Sequence, residues 1–316
     1  MFAICIESSH TKGMGHLFRM LNFAKFLNEQ NEKYIFLINN DAKSIQILQQ
    51  QYINFEIVSL EDLHTNWEAQ IIQKYSITHW INDRLNTKEE HAQHIKKIGT
   101  HLITFDDLGN GATLSDLNVL GLFFSNNNLS AKKLLKGTDY LILNSEIDIY
   151  KKERFKLNRI LVTLGGSDTY GITLKVLHLL KRNNIKATIH IGPSFAHKTS
   201  LYNKLTKEYK VITQLPSLIK EFSHYSLVIT GGGITPYEAN ASGLPSLIIA
   251  NEIFEIENGK YLDKIGSSKF IGFHNEIDET IFKNLNLLDI QKMSNIGMKY
   301  LNTQAANKIY HEVTQL

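Results

Sequence analysis

The chain has 316 residues, 43% of them hydrophobic, enough at roughly 150 residues per domain for two domains with a core each. Its 34 Lys and Arg against 31 Asp and Glu leave a net charge of +3, with no basic block and no aromatic residues interleaved among basic ones. That pattern excludes nucleic acid as a partner but not a small anion. The longest apolar runs, LGLFF and PSLIIA, fall far short of the ~20 residues that cross a bilayer. MFAICIES lacks the basic start and cleavage region of a signal peptide, and the lone Cys5 rules out an intramolecular disulfide, so the reading is of a cytoplasmic chain with a buried thiol.

In chain order, a strand is predicted over 2–7, with Phe2, Ile4 and Ile6 in its apolar run. It passes through TKGMGHLFRM (11–20) into a helix with apolar spacing at Leu17, Met20, Leu21, Phe23, Ala24 and Leu27, so Gly13, Gly15 and His16 occupy a strand-to-helix turn. Further strands are expected over 34–38, 54–58, 78–82, 101–105, 118–124 and 140–143. The charged stretch DIYKKERFKLN (148–158) breaks the alternation, and RILVTLGG then starts a second series through KATIHIG, KVITQL, SLVITGGG, LPSLIIA and SKFIGF. Strands alternating with helices predict an α/β fold of two Rossmann-like, doubly wound domains, 1–150 and 151–316. Ligands are then expected outside the carboxyl ends of the strands, in a central cleft between the domains.

Three glycine turns follow predicted strands: KGMGH (12–16), LGGSD (164–168) and TGGGITPYE (230–238). Such a turn exposes unpaired N–H groups and partial positive charge, which suits a phosphate. None is a P-loop, and Phe18 stands where a dinucleotide fingerprint needs its third glycine, which disfavours ATP- and NAD-type sites; no cofactor is expected. In the third turn Thr235, Pro236 and Glu238 spell a capping box. Alternatively Gly231, Gly232 and Gly233 open the backbone to a diphosphate, and the Glu238 carboxylate accepts from a ribose diol. His16 is either a hydrogen-bonding residue at the helix start or a general base, and Arg19 either orients an anion or is a solvated charge. Asp83, Arg84 and Asn86 in NDRLNT, and Asp106 and Asp107 in FDDLGNGA, end predicted strands at the same edge. An acidic pair there can hold a metal, but turn hydrogen bonds are its commoner use. His91 and His94 share a helical face with no third ligand nearby and read as solvated, so no metal site is assigned.

Taken together and in order, GMGHLFRMLNFAKFL, INDRLNT, FDDLGNGA, ILVTLGGSD with TLKVL, and ITGGGITPYEANASGLPSLIIANEIFEIENGKYLDKIG resemble the UDP-sugar hydrolases of the pseudaminic acid pathway, the PseG family, relatives of the MurG-type GT-B glycosyltransferases. The resemblance spans residues 1–270 and implies a GT-B fold. It also implies metal-independent, inverting hydrolysis of a UDP-linked 2,4-diacetamido-2,4,6-trideoxyhexose in nonulosonic acid biosynthesis, a route to flagellin and surface glycans. It makes His16 the base, with Gly13, Gly15, Arg19, Asp83, Arg84, Asn86 and Asp107 around the substrate. UDP falls to Gly232, Gly233, Ile234, Thr235 and Glu238, with Gly165, Gly166 and Ser167 beside the diphosphate and Gln214 and Leu215 against uracil. Two departures stand out. Arg84 and Leu85 follow Asp83 where the family has a tyrosine, and the family's asparagine before YLDKIG aligns nearer Phe254, with Asn251 and Asn258 as the candidates to take its place. The alternatives are a GT-B glycosyltransferase that passes the sugar to an acceptor in surface glycan assembly, and a nucleotide-holding module without chemistry. The expected partner is a UDP-sugar, with no stable membrane insertion, and the chain is expected to be a monomer whose last segment crosses back onto the N-terminal domain.

Overall fold

Apolar runs buried on both sides make central parallel strands. The computed structural model describes residues 1–7, 14–122, 131–166, 168–192, 194–213, 215 and 217–316. In it β1 (Phe2–Ile6) is buried at all of its positions, and alternate residues feed two cores. Phe2, Ile4 and Ile6 face one hydrophobic cluster; Ala3 and Cys5 face the other. The chain continues through α1 (Gly15–Glu29), β2 (Tyr34–Ile38), α2 (Ala42–Gln50), β3 (Phe55–Ile57), α3 (Trp67–Tyr75), β4 (His79–Asp83), α4 (Glu89–Lys97), β5 (His101–Phe105), β6 (Leu117–Leu120) and β7 (Lys133–Lys136). The seven strands form one parallel sheet in the order β3-β2-β1-β4-β5-β6-β7. α1 buries Leu17, Met20, Leu21, Phe23, Ala24 and Leu27 against the first cluster, and each large side chain among them contributes about 1.5–3 kcal/mol.

A second sheet repeats the plan. Its elements are α5 (Ile147–Tyr150), β8 (Ile160–Thr163), α6 (Ile172–Arg182), β9 (Thr188–His190), α7 (Lys198–Lys204), β10 (Lys210–Ile212), α8 (Leu218–Phe222), β11 (Leu227–Thr230), α9 (Thr235–Ala241), β12 (Ser246–Ala250), α10 (Ile253–Ile265), β13 (Ser268–Phe273), β14 (Glu276–Ile277) and α11 (Ile290–Tyr300). The strand order is β10-β9-β8-β11-β12-β13-β14, parallel except for the β13–β14 pair. Buried Arg154 ties this unit together by donating to four carbonyls, those of Lys152, Phe222, Tyr225 and Ser242. Two of them end α8 and α9, where helix carbonyls lack intrahelical donors. Burial pushes its guanidinium down to about 10.

The final helix α12 (Ala305–Val313) rejoins the first unit, where Ala305, Ala306, Ile309 and Val313 complete the cluster under α1. The first unit is thus Met1–Ile142 with Gln304–Leu316, and the second is Leu143–Thr303. The division falls ahead of the charged stretch at 148–158, because Ile147 is buried within the second unit and the Glu146 carboxylate accepts from Ser217. Residues 140–143 are not a strand. Leu141, Ile142 and Leu143 are buried without joining a ladder, and the strand lies earlier, at β7, whose exposed lysines mark it as a protected sheet edge. The expected strand at 118–124 is β6; residues 123–124 lie outside the described residues.

Candidate functional site

In the first unit the sheet brings together the ends of β1, β4 and β5. The last residue of β1 pairs with Asp83, and Asp106 follows β5. α1 starts at Gly15 with Met14 as an N-cap that offers no side-chain hydrogen bond, and its first two turns carry His16 and Arg19 to these carboxylates. Asp83 Oδ1 lies 2.6 Å from His16 Nδ1. Arg19 Nε donates to Asp83 Oδ2 at 2.8 Å, its Nη2 reaches Asp83 Oδ1 at 2.5 Å, and its Nη1 donates to Asp106. Asp106 also accepts from the Leu122 N–H at 3.1 Å. Both aspartates are fully buried and Arg19 is 4% exposed, while the His16 side chain keeps 20% of its surface open.

Electrostatics fixes the roles. Burial alone would raise the Asp83 carboxyl, but Arg19 and His16 hold it down to about 2, so it is an anion at neutral pH. Burial moves Asp106 the other way, upward, against the pull of Arg19. The His16 Nδ1–H donates to anionic Asp83, and Nε2 is the ring nitrogen not held by that carboxylate. The arrangement is a histidine held by a carboxylate that is itself held by a guanidinium.

Neighbouring residues serve this edge in different ways. Asp107 is fully buried and spent on the loop: it accepts from the Thr87 N–H at 2.9 Å, from the Thr87 hydroxyl and from the Gly109 N–H at 2.9 Å. The acidic pair therefore splits, with Asp106 rather than Asp107 reaching Arg19. Asp106 and Leu85 both adopt left-handed backbone, φ +46° and +66°, which costs a non-glycine residue about 1 kcal/mol or more. Arg84 is 5% exposed; its Nη2 donates to the Leu60 carbonyl at 3.3 Å, and its Nε and Nη1 are buried without a partner. Asn86 is exposed. A pocket of about 400 Å³ opens at the ends of β1 to β3, with Glu7, Asn39, Asn40, Ser59 and Glu61 in its lining. His91 is not solvated. It is buried with its Nδ1 2.7 Å from Glu68, a residue of α3, and Glu68 also holds His94 at 3.1 Å; burial pushes the His91 imidazole down. Among the described residues, no group of three or more His, Cys, Asp or Glu is arranged to hold a metal.

In the second unit the loop after β8 leaves Gly165, at φ +85°, and Gly166 exposed, while Asp168 caps α6 by accepting from the Ile172 and Thr173 N–H groups, both at 2.8 Å. The glycine turn after β11 rests on the first two turns of α10. Glu255 Oε2 accepts from the Gly232 N–H at 3.1 Å and Asn258 Nδ2 donates to the Gly232 carbonyl at 3.0 Å. The Tyr237 hydroxyl donates to Asn258 Oδ1 at 3.2 Å. There is no capping box: α9 begins at Thr235 with Ile234 as N-cap, which moves Glu238 one position too far into the helix to reach back. Instead the Glu238 carboxylate accepts from the Asn144 backbone, and burial raises it to about 7. Thr230 Oγ1 and Asn251 Oδ1, at the ends of β11 and β12, are buried without partners. Leu215 is half-buried; Gly13, Ser167 and Gln214 lie outside the described residues.

Three of these features had no clear sequence signal. Asp106 was indistinguishable from Asp107, Glu255 is one of several acids in α10, and Glu68 lies 23 residues from the histidine it holds.

No family model matches the chain. It is 28% identical over 294 residues to an uncharacterized protein of Methanocaldococcus jannaschii, covering 84% of this chain and 59% of that protein, so the chain spans about six-tenths of that relative's length. It is 24% identical over 315 residues to the spore coat polysaccharide biosynthesis protein SpsG of Bacillus subtilis, covering 94% of this chain and 89% of that one. In structure it is similar to MurG of Acinetobacter baumannii, with a TM-score of 0.72 at 15% identity over 100% of this chain and 99% of that one. HepE of Anabaena in complex with UDP matches with a TM-score of 0.70 at 12% identity, both chains covered at 100%. Two Rossmann-like α/β units of parallel strands, like those of MurG, make this the fold of the GT-B glycosyltransferases.

Proposed function

We propose that the protein is an enzyme that processes a UDP-linked sugar, and that its reaction is hydrolysis of a UDP-2,4-diacetamido-2,4,6-trideoxyhexose with inversion and without a metal ion. The observation that carries this reading is the chain from Asp106 through Arg19 and Asp83 to His16, which presents one ring nitrogen as a base. In the reaction a water oxygen bonds to the anomeric carbon as His16 Nε2 takes its proton. The bond from that carbon to the diphosphate oxygen breaks, and its electron pair leaves with UDP. Support for the nucleotide comes from the glycine turns at 165–167 and 231–235, from the likeness to HepE in complex with UDP, and from SpsG, named for polysaccharide biosynthesis. Glu238 takes the ribose diol, Gln214 and Leu215 the uracil, and the peptide N–H groups of the turns stabilise charge growing on the leaving diphosphate. The amide, hydroxyl and carboxylate groups of the pocket at β1 to β3 suit sugar hydroxyl and acetamido groups. The test is an NMR time course with the UDP-linked altrose isomer and no acceptor, for the wild type and His16→Ala. Release of UDP and free sugar, lost in the variant, is expected. Turnover by the variant at the wild-type rate overturns the assignment of the base.

A specific observation favours a second reading, transfer of the sugar to an acceptor hydroxyl. Phe18, Leu85 and Leu108 are 52%, 37% and 51% exposed around the same strand ends, and Leu108 N–H bonds the Leu85 carbonyl at 2.9 Å, so two of the three are neighbours. Exposed apolar side chains beside a base suit an acceptor with a greasy portion. In the same time course this reading gives no free sugar until an acceptor is added.

A further inference from the structure

We infer that Glu255 is a positioning residue for the nucleotide: it touches no substrate itself but sets the glycine turn that receives the diphosphate. The inference rests on the proposal that residues 231–235 hold UDP. α10 sends two side chains, one turn apart, to a single residue. Glu255 takes the N–H of Gly232 and Asn258 takes its carbonyl, so the peptide groups on both sides of Gly232 are oriented by one helix. The same Glu255 oxygen accepts from the Asn251 N–H at 2.7 Å and from Asn251 Nδ2 at 3.2 Å, joining the turn after β11 to the turn after β12. The contact is tight enough to demand glycine. A Cβ at Gly232 would stand 2.7 Å from both the Glu255 Cβ and its carbonyl oxygen, and one at Gly231 would stand 2.5 Å from Asn251 Nδ2.

The second carboxylate oxygen makes the role testable. Glu255 Oε1 lies 3.6 Å from where a Cβ at Gly233 would stand, so the carboxylate spans the turn from Gly232 to Gly233. Burial pushes the Glu255 carboxyl up, with the N–H groups of Asn251 and Gly232 drawing it back. Its function is therefore to accept hydrogen bonds at Oε2, a part that a neutral carbonyl oxygen can also play. Glutamine in its place keeps an acceptor oxygen on the turn and puts an N–H donor where the charge was.

The experiment is calorimetric titration of UDP into the wild type, E255A, E255D and E255Q at pH 8, with amide hydrogen exchange at Gly232 and a thermal melt for each. E255A and E255D, which withdraw the acceptor, are expected to lose about tenfold in affinity and to speed exchange at Gly232. E255Q is expected to bind UDP at least as tightly as the wild type, a rescue that a merely structural role in α10 does not produce. If E255A fails to fold, E255D against E255Q decides. Wild-type affinity in E255A or E255D, or a loss in E255Q equal to theirs, overturns the inference while leaving the nucleotide reading in place. A wild-type protein that does not bind UDP overturns both.

Discussion

Replacing Asp83 by Asn keeps volume and shape at the candidate base while removing the charge that orients it. Asp83 accepts at once from His16 Nδ1 at 2.6 Å and from Arg19 Nε at 2.8 Å. An asparagine has one oxygen for these donors and turns an N–H₂ group toward the other. If the oxygen stays with Arg19, the amide donor meets His16 Nδ1 and stabilises the opposite tautomer, with the proton on Nε2 where the base must be free. General-base catalysis contributes about 10²- to 10⁴-fold, so kcat for UDP release should fall by that range, about 3–5 kcal/mol. The Kd for UDP, which the proposed function assigns to the second unit, should stay within about twofold. Stability should fall by about 1–3 kcal/mol, below the cost of isolating a buried charge, because Arg19 keeps Asp106. The pH signature follows from the depressed Asp83 carboxyl, about 2 against an ordinary 3.8. Its contribution is fully present above the unfolded value and is lost as pH falls toward the folded one, so the variant should lack that part of the wild-type acid limb. Adding His16→Ala should cost little more than either change alone, since the two act as one unit. D83N turning over within threefold of the wild type, or strictly additive losses in the double variant, refutes the dyad.

Glu238 gives the opposite pH dependence: its folded carboxyl is raised to about 7 from 4.5, so the folded state holds a proton that the unfolded chain releases between those values. Stability should therefore decline as pH rises through that window, and E238Q should remove the decline, gaining about 2 kcal/mol at pH 8 after allowance for partial exposure, in urea melts at pH 5 and 8. If Glu238 takes the ribose diol as proposed, UDP-N-acetylglucosamine, whose diphosphate does not titrate there, should bind the wild type more tightly at pH 8 than at pH 6, because only the ionised carboxylate accepts from both ribose hydroxyls. Cys5 is fully buried and its thiol is pushed up to about 12, so maleimide at pH 8 should label the native protein only at the rate of global opening; labelling within seconds would place the thiol elsewhere. Arg154→Ala removes a buried donor from four carbonyls, of which those of Phe222 and Ser242 keep the Tyr225 and Lys152 N–H groups, and should cost about 3 kcal/mol, lowering the melting temperature by about 6–12 °C, with Arg154→Lys intermediate because an ammonium cannot reproduce the planar fork.

Features that depend on local pattern were legible in the sequence. β1, β2, β8 and β12 are apolar runs bounded by turns, and they lie within a residue or two of where the pattern puts them. The convergence of His16, Arg19 and Asp83 on one edge follows from strand order alone, since ligand-facing residues of a doubly wound sheet lie at carboxyl ends. What escaped depends on torsion or on distant partners. Asp106 and Asp107 are identical in sequence terms, and only the left-handed turn at Asp106 sends one carboxylate to Arg19 and the other to Thr87. β7 reads as a loop because Lys133 and Lys136, which protect a sheet edge, hide the strand. His91 reads as solvated because its helix is polar on most sides, and the carboxylate that justifies burying it arrives from α3.

Hydrolysis and transfer share every step up to the identity of the nucleophile, so the base cannot distinguish them. In the proposed role, His16 Nε2 accepts a proton from water or from an acceptor hydroxyl with the same geometry. The distinction falls to what the surroundings do to water. Phe18, on the exposed side of α1 between His16 and Arg19 in sequence, and Leu85 and Leu108, joined through their backbones, place apolar surface at the site's edge. Leu85 also holds a left-handed backbone that a glycine would adopt at lower cost, so the leucine side chain is retained there against a conformational penalty. A rim that only shields a reacting sugar and a rim that grips an acceptor respond differently to polar substitution. Phe18→Ser with Leu85→Gly should leave hydrolysis within a fewfold of the wild type if the rim merely shields. If it grips an acceptor, the same change should abolish transfer while sparing UDP binding and raising the background release of free sugar, because water then reaches the anomeric carbon that the acceptor no longer covers.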